Sequence, residues 1–305
     1  MSDLDRLLAR ADEWQSRPMA LTTVIATWGS APRPRGSHML VTEDGRFEGS
    51  VSGGCVEAEV LAHAAGVIAG GGFRRLDYGV ADPAAWEVGL PCGGTIELMI
   101  QPVSEQGFSP ALFGRIAEAR ARGEALILST DLTTGITREG PGTEGFSNIY
   151  LPPRRLLIVG AVQIAQALAR LARELGMAVT VIDPRGRFLT EERFPGVTLD
   201  DRWPDEAVAV ARPDPATAIV TLSHDIKIDD PALAAALRSP AGYIAALGSR
   251  RSHAARLERL AAQGFDETAL ARIEGPAGLD IGGVGPAEIA LSIAAGAVRA
   301  FSGKP

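Results

Sequence analysis

The second half of the chain repeats one rhythm. Short, almost unbroken apolar runs, "RLLIVG", "MAVTVID", "TAIVTLS" and "AGYIAALG", are each followed by a longer stretch whose apolar positions recur three and four residues apart. The first kind predicts strands buried on both faces and the second predicts amphipathic helices: "AVQIAQALARLARELG", "PDEAVAVARP", "DDPALAAALRS" and "SRRSHAARLERLAAQG". Alternation of this kind predicts a doubly wound parallel sheet of Rossmann type. A last helix is expected from Pro286, because proline suits a first helical position.

The first half has a different grammar. A helix is expected over residues 2–16, followed by the β-branched strand "MALTTVIATW". "APRPRGSH" reads as a loop, since Pro32 and Pro34 exclude regular pairing. A hairpin turns at Asp44-Gly45, and a helix over residues 55–68 stops at the glycines 70–72. "TIELMIQPV", "SPALFGRIAEARARG" and "EALILST" predict strand, helix and strand. Residues 133–153 are rich in Gly, Thr, Pro and Glu without periodicity and read as a linker. The expected organisation is a small α/β domain over 1–132, a linker over 133–153 and the Rossmann-like domain over 154–305.

Composition narrows the class. At 305 residues with 46% hydrophobic and 22% charged positions, two globular domains are expected. The longest apolar runs fall short of the ~20 residues that span a bilayer, and the acidic start "MSDLDRLLARADEW" is unlike a signal peptide, so a cytoplasmic location is expected. The net charge of −7 argues against general affinity for nucleic acid or anionic membrane. Positive charge is nearly all arginine, with clusters at Arg33 and Arg35, Arg185 and Arg187, and Arg250 and Arg251 that suit anion contacts.

Candidate chemistry gathers in two places. The only cysteines, Cys55 and Cys92, each touch a glycine pair: Gly53-Gly54 before the first, Gly93-Gly94 after the second. A thiol in the first turn of a helix has a lowered pKa, and bare glycine backbone admits a flat or phosphorylated ligand. Soft thiols in such loops suit a soft metal complex, sulfur transfer or redox chemistry. Inert thiols are the alternative. No familiar zinc spacing is present, while a Cys–His pair using His38, His63 or His224 stays open.

The other place is the carboxyl end of the predicted parallel strands. "LLIVGAVQIA" has Gly160 and an acceptable Ala165 for a dinucleotide loop, but Val162 stands where a second glycine would let backbone approach a pyrophosphate. This argues against NAD(P), and leaves Asp183 as either a ligand contact or a strand-end acid. His224-Asp225 end one strand; Ser249, Arg250 and Arg251 end another and start a helix able to hold an anion. Asp280 and Gly282 lie in a further glycine-rich turn, "GLDIGGVGP".

Together "GSAPRPRGSHMLV", "GSVSGGCVEAEV", "GLPCGGTIEL", "DPRGRFLTEERFPG", "SHD", "YIAALGSRR" and "GLDIGGVGPAEIALSI" span nearly the whole chain. In this order they resemble the xanthine dehydrogenase accessory proteins, the XdhC/CoxI family. The resemblance implies a small N-terminal domain carrying two Gly-Cys loops and a Rossmann-like C-terminal domain. It implies a non-catalytic chaperone that binds the mature molybdopterin form of the molybdenum cofactor. Such a chaperone supports terminal sulfuration with a donor such as a cysteine desulfurase and delivers the cofactor to a molybdenum hydroxylase such as xanthine dehydrogenase. A homodimer is part of the same expectation. On that basis Cys55 and Cys92 are expected near the metal. Gly53, Gly54, Gly93, Gly94, Gly160, Asp183, His224, Asp225, Ser249, Arg250, Arg251 and Asp280 are expected around the cofactor. The chain departs from the family's Gly-Ala-Gly-His with Gly160-Ala161-Val162-Gln163. Two other readings are an NAD(P)-dependent oxidoreductase and a scaffold with inert thiols.

Overall fold

The computed structural model describes residues 2–54, 56–70, 72–79, 94–142 and 145–302. It falls into two compact units, 2–152 and 153–305.

The N-terminal unit opens with α1 (Asp3–Glu13), started by a reciprocal capping box between Ser2 and Asp5. Strands β1 (Met19–Trp28), β2 (His38–Thr42) and β3 (Phe47–Gly49) precede α2 (Glu57–Gly70). β4 (Arg74–Tyr78), β5 (Thr95–Pro102), α3 (Ala111–Ala121) and β6 (Leu126–Thr130) follow. The first sheet has the order β3-β2-β1-β5-β4 and is antiparallel throughout. The two-residue period of β1 sorts its side chains by face. Ala20 and Val24 pack with Val60 and Ala64 of α2, and Leu21 packs with Leu7 and Ile116 of α1 and α3.

Residues 133–153, expected to be a linker, instead hold β7 (Thr137–Glu139) and β8 (Phe146–Tyr150). Both pair antiparallel with β6 in a second sheet of order β7-β6-β8. The correction has a physical reason: Phe146 and Tyr150 are buried and Thr137 hydrogen-bonds Thr130 at 2.8 Å, so sparse apolar anchors sufficed where no long periodic run exists.

The C-terminal unit contains β9 (Arg155–Val159), α4 (Gln163–Glu174), β10 (Ala178–Ile182), β11 (Thr198–Asp200) and α5 (Pro204–Ala211). Beyond these come β12 (Thr217–Thr221), α6 (Ile226–Leu237), β13 (Tyr243–Ala246), α7 (Arg250–Ala261), α8 (Glu267–Leu270), β14 (Ile273–Glu274) and α9 (Pro286–Ser302). All six strands are parallel, in the order β11-β10-β9-β12-β13-β14. Alternate strand residues serve opposite layers. Leu156, Ile158 and Val220 pack with α4 and α9, while Leu157, Val159 and Ile219 pack with α5, α6 and α7. Each such fully buried aliphatic side chain contributes ~1.5–3 kcal/mol. The winding reverses between β9 and β12, and the crevice that this opens at their carboxyl ends is where such sheets take ligands.

One helix begins earlier than its pattern suggested. α6 starts at Ile226, not beside Pro231, because the Asp225 carboxylate accepts the Lys227 N–H at 2.9 Å and caps it there.

Candidate functional site

The loop preceding α2 is organised by a side chain the motif reading overlooked. Glu57 is only 9% exposed, and its carboxylate is the hub of "SVSGG". Oε1 accepts the Ser50 hydroxyl at 2.7 Å and the Val51 and Ser52 amides at 3.2 and 2.9 Å. Oε2 accepts the Gly54 amide at 2.8 Å and the Ser52 hydroxyl. Burial alone would push this carboxyl up, yet the bonds from Ser52 and Ser50 outweigh it and hold the pKa at about 2. Gly53 (φ +78°) and Gly54 (φ +119°) give the turn a backbone that other residues resist. The consequence revises the expectation for this loop: the amides of Val51, Ser52 and Gly54 already serve Glu57 and are not open to a phosphorylated ligand. Glu57 is the first residue of α2 and reaches back to the amides of the turn that precedes the helix.

Cys55, Cys92 and Gly93 lie outside the described residues. Their described neighbours converge. A Cβ on Gly94 would stand 2.6 Å from the Ser30 carbonyl oxygen and 2.9 Å from that of Trp28, while one on Gly53 would lie 3.7 Å from Pro32 Cβ. Gly53 and Gly94 therefore both lie against the segment that leaves β1, and Gly94 tolerates no side chain there. Trp28 is 74% exposed at this end of β1. The arginines of "PRPRG" are tied down. Arg33 pairs with Asp3 at 2.5 Å, and Arg35 donates to the Ile25 carbonyl at 3.0 Å with its guanidinium over the Phe146 ring.

Deeper in this unit, His38 has both ring nitrogens engaged, one with the Thr23 hydroxyl and the other with the Tyr150 hydroxyl, each at 2.9 Å. Burial lowers its pKa to about 4. His63 sits on α2 with Glu59 at 3.6 Å and Arg74 at 3.2 Å.

In the C-terminal unit the candidate groups collect at the carboxyl edge of the parallel sheet. Gly160 (φ +103°) lets the β9–α4 turn touch the β12–α6 turn, since a Cβ there would meet the Ser223 nitrogen at 2.8 Å. Asp183 is fully buried. Its carboxylate accepts the Ala161 amide at 2.7 Å, the Arg185 amide at 2.9 Å and the Arg185 guanidinium at 2.9 and 2.8 Å. Burial opposes ionisation, but these bonds hold the carboxyl below its usual range. Asp183 is thus the internal brace of the β9–α4 turn, with no edge offered to a ribose. Val162 packs its side chain against the core.

His224 is exposed and left-handed (φ +61°), a conformation non-glycine residues hold at a cost of order 1–3 kcal/mol. It is pinned by buried Asp229, whose carboxylate accepts the His224 amide at 3.0 Å and the Ser223 amide and hydroxyl at 3.3 and 2.7 Å. Burial raises the Asp229 pKa. Asp225 is the cap of α6, and Ser249 caps α7 by accepting the Ser252 amide at 3.1 Å. Arg250 and Arg251 are exposed at that helix start. Asp280 is exposed and accepts the Gly282 amide at 3.4 Å in the turn before α9. Among the described residues no cluster of three or more His, Cys, Asp or Glu side chains is placed to hold a metal ion.

A doubly wound parallel sheet with an altered glycine loop, preceded by an α/β unit in which Gly53 and Gly94 both lie against residues 28–32, defines a two-unit protein with a Rossmann-like domain. Residues 156–296 match the XdhC Rossmann domain and residues 14–79 match the XdhC and CoxI family. The chain is 33% identical over 263 residues to the molybdenum cofactor insertion chaperone PaoD of Escherichia coli, covering 85% of this chain and 76% of that one. It is 26% identical to a probable xanthine dehydrogenase component of Bacillus subtilis, covering 96% and 94%. A crystal structure of a xanthine dehydrogenase from Bacillus halodurans superposes with a TM-score of 0.82 at 25% identity, covering 100% of this chain and 97% of that one. The chain belongs to the XdhC and CoxI family.

Proposed function

We propose that this chain binds the molybdenum cofactor, supports its sulfuration and passes it to a molybdenum hydroxylase. The observation that carries the reading is the convergence of Gly53 and Gly94 on residues 28–32, which brings the sequence neighbours of Cys55 and Cys92 to one end of β1. Soft thiolates suit molybdenum, and backbone stripped of side chains suits a flat pterin. The start of α7, with Ser249, Arg250 and Arg251, offers the C-terminal unit's groups for a phosphate, and exposed His224 stands at the end of β12 as a further contact. The relationship to a chaperone named for cofactor insertion supports the same role here. A sulfur donor and a homodimer belong to this proposal. Val162 packed on the core and Asp183 already satisfied count against an NAD(P)-dependent oxidoreductase.

The test is delivery. Chain preincubated with free molybdenum cofactor should activate a cofactor-free molybdenum hydroxylase faster than free cofactor at the same concentration. Equal rates with and without the chain would sink the proposal.

A further inference from the structure

Arg256 is a buried charge that nothing in the fold fully matches. It is 5% exposed, on the inward face of α7 four residues before buried Leu260. Its side chain runs back to the β13–α7 turn, where Nη2 donates to the Leu247 carbonyl at 2.9 Å. Nη1 lies 3.5 Å from His253 Nδ1, Nε is buried with no partner, and among the described residues Arg256 makes no ion pair within 4.0 Å. Asp229 is the nearby acid, but its oxygens are committed to Ser223 and His224. Asp230 is held bidentate by Arg259 at 2.6 and 3.0 Å. A desolvated guanidinium with unmatched N–H groups costs stability and calls for an anionic acceptor.

The turn above it is shaped to admit one. Gly248 (φ +144°) carries no side chain, and a Cβ there would stand 3.7 Å from Arg256 Nη2 and 2.5 Å from Ser252 Oγ. The first-turn amides of Arg250 and Arg251 have no intrahelical acceptor, and their exposed guanidinium groups add positive charge beside the helix dipole. We infer that the start of α7, floored by Arg256, is a subsite for a phosphate monoester. It deepens the cofactor proposal, on which it rests only for naming the phosphate arm of the pterin as the natural ligand. The subsite itself stands or falls with simple phosphates.

The full chain is titrated by calorimetry with methyl phosphate and, separately, with inorganic phosphate. The wild type should bind methyl phosphate saturably and more tightly than inorganic phosphate. Arg256→Gln should weaken methyl phosphate about tenfold or more while leaving the ligand-free melting temperature unchanged or raised, since a buried unmatched cation burdens the fold. A purely structural arginine would do the reverse, lowering the melting temperature and sparing binding. Should Arg256→Gln fail to fold, the surface double variant Arg250→Ala, Arg251→Ala must weaken binding. Absence of wild-type binding, unchanged affinity in the variants, or preference for inorganic phosphate would overturn the inference. A wild type that binds methyl phosphate but retains no molybdenum cofactor would sink the cofactor reading and leave the subsite standing.

Discussion

Replacing Glu57 by glutamine removes one charge from the hub of the first glycine loop. Five donors converge on the carboxylate: the amides of Val51, Ser52 and Gly54 and the hydroxyls of Ser50 and Ser52. A glutamine oxygen can serve those on Oε1, but its NH2 then faces the Gly54 amide and the Ser52 hydroxyl. A stranded buried donor costs ~1–3 kcal/mol, so a loop deficit of about 2–3 kcal/mol is expected. A carboxyl at about 2 rather than 4.5 likewise favours the ionised loop by roughly 3 kcal/mol. Hydrogen exchange at neutral pH should show amides of residues 50–57 losing protection by about 30- to 150-fold, with α3 little changed. Because the folded pKa is depressed, the stabilisation is full above about pH 4.5 and drains as pH falls toward 2. The deficit of the variant should accordingly narrow by about 1 kcal/mol by about pH 4. Protection within twofold of wild type, or a deficit that does not narrow in acid, would refute the reasoning.

Three further outcomes are expected. Gly160→Ala should lower stability by about 2–4 kcal/mol in urea unfolding, since a Cβ would meet the Ser223 nitrogen in a left-handed backbone; Gly282→Ala, with nothing within 4 Å, should cost only about 1 kcal/mol. Asp183→Asn should cost about 1–3 kcal/mol near neutral pH, because its buried NH2 would face the donors that the carboxylate accepts while half-exposed Arg185 turns to solvent, and the cost should shrink in acid because the native carboxyl is depressed. His38 is held neutral down to about pH 4. Between that value and its usual 6.5 the unfolded chain binds more protons, so wild-type stability should fall by up to about 3 kcal/mol on acidification across that window. His38→Gln should flatten that slope in melting curves.

The parallel sheet was legible because each of its longer strands is apolar on both faces, a signal that needs no partner to be seen. Short strands were not: β4 is largely exposed, β11 and β14 are three and two residues long, and their pairing depends on neighbours already in place. The segment 133–153 failed for the same reason, its order resting on Phe146, Tyr150 and threonine hydrogen bonds rather than on periodicity. In the candidate site, glycine and cysteine positions stood out as motifs. The acids that hold the loops did not, because Glu57, Asp183 and Asp229 act by burial and by bonds to distant amides. Arg256 carried a fainter mark, a cation at helical spacing from an apolar face.

The most direct measurement is molybdenum and pterin content after gel filtration of the chain mixed with free cofactor, compared among wild type, Cys55→Ala, Cys92→Ala and the double variant. The account predicts stoichiometric co-elution of molybdenum with the wild type, reduced retention in each single variant and none in the double. No co-elution with the wild type, or undiminished co-elution with the double variant, would contradict it.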